Sequence, residues 1–225
     1  MSKLKLIITG WPRGGLGYIA ELLRRSGVDA GQTFDETTSS ENIEERLQNA
    51  KEIEISPFLV PWLGWNKLKD IRVIFITRDP MRILNSFHFH GLFHGEKMSV
   101  VKKRAYRVFP KFEATYKGKP VQAATAYIVK WYDMAVTLCP NLIKLPVEED
   151  PTHLLNIILP KQVITVPFCP PTVNSSNCRQ ILVPSQLPEN MGKTMLSLLM
   201  KLGYHHRFWY PCGGHAHYTN ADWHC

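Results

Sequence analysis

The chain has 225 residues, 44% of them hydrophobic, enough for one sizeable core, and no internal repeat or low-complexity linker divides it. Its 27 Lys and Arg against 19 Asp and Glu give a formal charge of +8, which favours anionic ligands, but the basic residues are scattered and no nucleic-acid partner is expected. No apolar run reaches transmembrane length, five dispersed cysteines make no disulfide framework, and Met1-Ser2-Lys3 runs straight into a strand without a signal peptide; a cytoplasmic protein with no membrane insertion is expected.

In chain order, Lys3 to Thr9 reads as a buried strand and Tyr18 to Arg25 as a helix, with the turn Gly10-Trp11-Pro12-Arg13-Gly14-Gly15-Leu16-Gly17 between them. The glycines allow positive φ and close backbone approach, and the amides at the following helix start attract an anion. The stretch is a candidate phosphate cradle; taken alone, it also reads as a turn that merely joins strand to helix. Gly10-x4-Gly15 matches half of a triphosphate-binding loop, but Leu16 and Gly17 stand where its Lys and Ser/Thr belong, which disfavours hydrolysis of a magnesium nucleoside triphosphate. Arg13 offers a guanidinium suited to phosphate or sulfate oxygens without a metal.

Residues 29–40 read as a loop over the ligand, 41–50 as a helix capped by Ser40, and 51–56 as a strand ended by Pro57. A short helix is expected over 61–69. Arg72 to Ile76 is the apolar run of a central parallel strand, delivering Thr77-Arg78-Asp79-Pro80 to the sheet's carboxyl edge, with a helix over 81–90 behind it. The basic group 102–111 reads as a solvated helix face that could draw in an acidic acceptor. The spacing predicts a long amphipathic helix over 120–138, a strand over 141–146, an acidic turn at Glu148-Glu149-Asp150, a helix over 151–159, a long loop over 165–184 and a last helix over 187–202. One α/β domain over 1–203 with a Cys/His/aromatic tail over 204–225 is expected.

The loop Pro12-Arg13-Gly14-Gly15-Leu16-Gly17-Tyr18 resembles the 5′-phosphosulfate loop of the P-loop sulfotransferase family, and Arg78-Asp79-Pro80 with Ser86 resembles that family's 3′-phosphate motif. The segment 145–150 is similar to a strand and acidic turn of small bacterial members. The resemblance implies a three-layer P-loop-type α/β fold with a mainly parallel sheet flanked by helices. It implies 3′-phosphoadenosine 5′-phosphosulfate as donor, adenosine 3′,5′-bisphosphate as product, no metal, and a small-molecule, glycan or lipid acceptor. Carried onto this chain, Arg13 would hold the phosphosulfate and stabilise the leaving oxygen. The amides of Gly14, Gly15, Leu16 and Gly17, beside Tyr18, would cradle the same group, and Arg78 and Ser86 would hold the 3′-phosphate.

Leu16 replaces the family's usual hydroxyl residue; Tyr18 or Thr33 is expected to compensate. For the general base the expectation is Glu54, near the end of the second strand, with Asp35, Glu36 and His88 as alternatives; a salt-bridged Glu54 on the surface is equally compatible with the sequence. Cys212, His215, His217, His224 and Cys225 are zinc-ligand types in no common zinc spacing. Two rival readings stand beside sulfuryl transfer: a divergent P-loop nucleotide kinase, which lacks its Lys-Ser/Thr pair here, and a non-catalytic binder of phosphorylated ligands or nucleic acid.

Overall fold

The computed structural model describes residues 3–94, 98–160, 182 and 187–204. Four strands, β1 (Leu6–Gly10), β2 (Ile53–Ile55), β3 (Arg72–Thr77) and β4 (Ile143–Pro146), form an all-parallel sheet in the order β2-β1-β3-β4. Helices α1 (Leu16–Arg25), α2 (Ile43–Asn49), α3 (Pro80–Phe89), α4 (Val100–Val108), α5 (Phe112–Tyr116), α6 (Pro120–Leu138), α7 (Pro151–Ile158) and α8 (Glu189–Lys201) complete it, with a 3-10 helix at Pro57–Trp62. The architecture is the α/β fold expected from the sequence.

Parallel strands need both faces covered, and the period-2 alternation of side chains shows how this chain covers them. Ile7, Val73 and Phe75 enter one apolar cluster with residues of α3, α6 and α8, whereas Leu6, Ile8, Ile74 and Ile76 enter a second with α1 and α7. The chain passes from β1 to β2 on one side and returns past β1 to β3 on the other. The carboxyl ends of β1 and β3 therefore flank a topological switch point, the place where open α/β sheets bind ligands.

Several boundaries move from their expected places. α1 begins at Leu16 behind a Gly15 N-cap, which shortens the turn; α2 begins behind Asn42, not Ser40. The segment expected as a helix over 61–69 is instead a 3-10 helix from Pro57, where Ser56 accepts the Phe58 amide at 3.0 Å and leads with Pro57 into the tighter turn. The loop 165–184 lies outside the described residues apart from Leu182, and the Cys/His tail lies wholly outside them. Among the described residues no helix is long and apolar enough to cross a membrane.

Candidate anion and nucleotide site

The turn after β1 is held from beneath by two tryptophans. Trp11 is fully buried, meets Phe75 edge-on at 5.0 Å and donates its indole N–H to the Ile128 carbonyl at 2.8 Å; Trp131 donates to the Gly10 carbonyl at 3.2 Å. Both bonds tie the turn to α6, so the best-patterned helix of the sequence is also the turn's support. A Cβ on Gly10 would stand 2.7 Å from the Ile76 carbonyl oxygen, and Gly15 has φ 100 with Val147 packed against it. Those two positions require glycine for close approach and for backbone conformation.

Gly14 departs from its expected role, because its amide already donates to the Trp11 carbonyl at 2.9 Å. The amides of Leu16, Gly17 and Tyr18 open α1, ahead of any carbonyl four residues back, and carry the positive end of the helix dipole. Leu16 turns its side chain into the second apolar cluster, so it contributes backbone, not a hydroxyl. Tyr18 lines the cavity at this turn; burial and the nearby Asp150 carboxylate push its phenol above its ordinary pKa, so it remains a donor. Thr33 is not available to replace the missing hydroxyl, since its side chain donates to Glu54 at 2.8 Å.

Arg13 sits in the left-handed region at φ 66, a conformation that aims its guanidinium across the carboxyl edge. Its Nε donates to Ser86 Oγ at 3.0 Å, and its terminal nitrogen lies 2.7 Å from His90 Nε2. Arg78, immediately after β3, donates to the Arg13 carbonyl at 3.0 Å. The structure thus brings Arg13, Arg78 and Ser86 together from two motifs more than 60 residues apart; Arg13 and Arg78 line a cavity of about 170 Å³ with Gly15, Gly17 and Pro57, and Ser86 stands behind Arg13. Burial lowers the pKa of Arg78, the Glu148 carboxylate opposes that shift, and a guanidinium keeps its charge at neutral pH. Asp79 caps α3, the helix that carries Ser86, through the Met81 amide at 2.8 Å.

His90 was not singled out by the sequence. An arginine N–H can only donate, so the His90 nitrogen facing Arg13 accepts and the imidazole is neutral; burial, then Arg13, hold its pKa below the ordinary histidine value. His88 instead pairs with His94 at 2.9 Å.

Glu54 is the clearest departure. It is fully buried and pairs in register with Ile7, well short of the β1 carboxyl end. Its carboxylate accepts from the Thr33 amide and hydroxyl at 2.8 Å each and from the Lys51 amide at 2.9 Å, and it fills the space a Cβ on Gly31 would need. This is a clamp that fixes the 29–34 loop on β2, not a base facing an acceptor. Asp35 is likewise committed, to Thr37 at 2.7 Å and Arg46 at 3.1 Å. Glu54→Ala is expected to lower unfolding free energy by about 1.5–3 kcal/mol, the range of one charge-assisted hydrogen bond, or more. Denaturant unfolding beside nucleotide titration checks this: a variant of unchanged stability with lost turnover would restore the catalytic assignment.

Among the described residues no group of three His, Cys, Asp or Glu side chains comes together as a metal site. No family model and no curated protein sequence matches this chain. One solved structure similar to it is the sulfotransferase from Alicyclobacillus acidocaldarius, at a TM-score of 0.53 and 12% identity, covering 90% of this chain and 97% of that one. At that identity the likeness concerns the backbone, and the conclusion it carries is that this chain has a sulfotransferase-like fold.

Proposed function

We propose that the protein is a sulfotransferase that moves a sulfuryl group from 3′-phosphoadenosine 5′-phosphosulfate to a hydroxyl or amine. The observation that carries this reading is the junction of Arg13 with Arg78 and Ser86 at the switch point. One helix start and two guanidiniums there line a cavity that suits an anionic group such as phosphate or sulfate. The sulfotransferase-like fold agrees with it.

In this reading the donor supplies an activated sulfuryl group, and the chain supplies position and charge. The α1 amides and Arg13 hold the phosphosulfate, with Arg13 stabilising the negative charge that grows on the bridging oxygen as the bond to sulfur breaks. Arg78 and Ser86 hold the 3′-phosphate and so fix the nucleotide's register. When Arg13 turns from His90 to the bound phosphosulfate it frees His90 Nε2, and that nitrogen, in place of Glu54, is the proposed acceptor of the hydroxyl proton.

The experiment is cleavage of the donor to adenosine 3′,5′-bisphosphate across a pH series. Because His90 must be neutral, activity is expected to fall as pH drops through its lowered pKa, below about 6.5, the unperturbed value. His90→Gln is expected to cut turnover and to remove that acid limb. An unchanged limb in the variant would assign the titration to another group.

A further inference from the structure

Apart from the nucleotide site, the structure has a groove of about 960 Å³ between the 36–42 loop, the end of the 3-10 helix and α4. Lys103, Arg104 and Arg107 line it from successive turns of α4. Lys103 and Arg107 are exposed, with no ion pair among the described residues, whereas Arg104 is 3% exposed. A buried guanidinium ordinarily has a carboxylate partner. This one has two carbonyls, donating to Thr38 and Phe58 at 3.2 Å each, while its Nε and the indole N–H of groove-lining Trp62 have no partner among the described residues. Burial lowers the Arg104 pKa, the Tyr127 phenol opposes that shift and Arg107 adds to it.

The opposite wall is built, not loose. Asn42 accepts the Ser39 amide at 2.9 Å and donates to the Thr37 carbonyl at 3.0 Å, and Arg46 ties Thr37 and the Thr33 carbonyl to α2. That wall presents Ser40 and the exposed carboxylates of Glu36 and Glu41, groups that accept from hydroxyls, opposite the cations of α4. Pro57 lines the nucleotide cavity and Pro61 lines the groove, so one 3-10 helix separates them, roughly 8 Å at about 2 Å per residue.

We propose that this groove binds a hydroxyl-bearing small acid, its carboxylate or phosphate against Lys103, Arg104 and Arg107, and that such an acid is the acceptor. Only the acceptor step rests on the sulfuryl-transfer reading. In such an acceptor the hydroxyl at the Pro57 end of the 3-10 helix is the one that takes the sulfuryl group, and the others meet the Glu36 and Glu41 wall.

The test follows the Trp62 indole N–H resonance during titration with inorganic phosphate, D-glucuronate and, as the neutral control, D-glucose. Phosphate and glucuronate are expected to shift it and glucose not. Lys103→Ala with Arg107→Ala, both exposed and outside the nucleotide machinery, is expected to weaken both anions roughly fivefold or more at unchanged thermal midpoint. Glucose acting like glucuronate, or a double variant binding like wild type, would overturn the site. Saturating adenosine 3′,5′-bisphosphate is expected to leave the glucuronate shift in place; displacement of glucuronate would overturn the acceptor assignment. If the bisphosphate itself fails to bind while the groove results hold, the sulfuryl-transfer reading falls and the anion site stands.

Discussion

Arg13→Ala is expected to reduce donor cleavage roughly a hundredfold to a thousandfold, the usual cost of removing one preorganised donor from a developing oxyanion. The side chain is the one group of the turn that reaches both neighbours, through Ser86 at 3.0 Å and His90 at 2.7 Å. Arg13→Lys keeps the charge but cannot reproduce two directed N–H bonds, so partial recovery is expected. Release of adenosine 3′,5′-bisphosphate, with thermal unfolding as the folding control, measures the effect. A variant that cleaves the donor at the wild-type rate would remove Arg13 from the chemistry.

Arg78→Ala is expected to weaken adenosine 3′,5′-bisphosphate by about 2–5 kcal/mol, as loss of one partner from a buried charged contact does. Adenosine 5′-monophosphate should weaken far less, by about 1 kcal/mol, the worth of the neutral bond from Arg78 to the Arg13 carbonyl. The difference isolates the 3′-phosphate from the support Arg78 gives the turn. Equal losses for the two nucleotides would show that Arg78 serves the turn alone.

What the sequence revealed and what it concealed divide along a physical line. α6 matches its expected span of 120–138, because Pro120 sets the first turn and nineteen residues of helical periodicity follow. β3 and the placement of Arg78 after it follow from an apolar run too short for a helix and too continuous for a half-exposed strand. Glu54 misled because alternation gives a strand's two faces but not its height in the sheet. β2 has three residues and meets only Leu6, Ile7 and Ile8, so Glu54 lies below the edge where β1 delivers Gly10.

Contacts between distant segments were the other concealed class. His90 stands 77 residues from Arg13, and no local pattern marks it off from His88 and His94. Arg104 read as part of a solvated basic helix face, yet packing of α4 against Thr38 and Phe58 buries it and leaves Lys103 and Arg107 outside. The Leu16 side chain, whose amide the sequence already placed in the cradle, packs into the second apolar cluster with residues of α7 more than 130 positions away.

The central claim is that the turn after β1 and the Arg78–Ser86 pair form one site for a nucleotide bearing phosphate at its 3′ position. Calorimetric titration of the wild-type protein with adenosine 3′,5′-bisphosphate, and separately with ATP and magnesium, tests it most directly. The bisphosphate is expected to bind at least an order of magnitude more tightly, about 1.4 kcal/mol or more. Tighter binding of magnesium ATP would contradict the claim and favour a divergent nucleotide kinase.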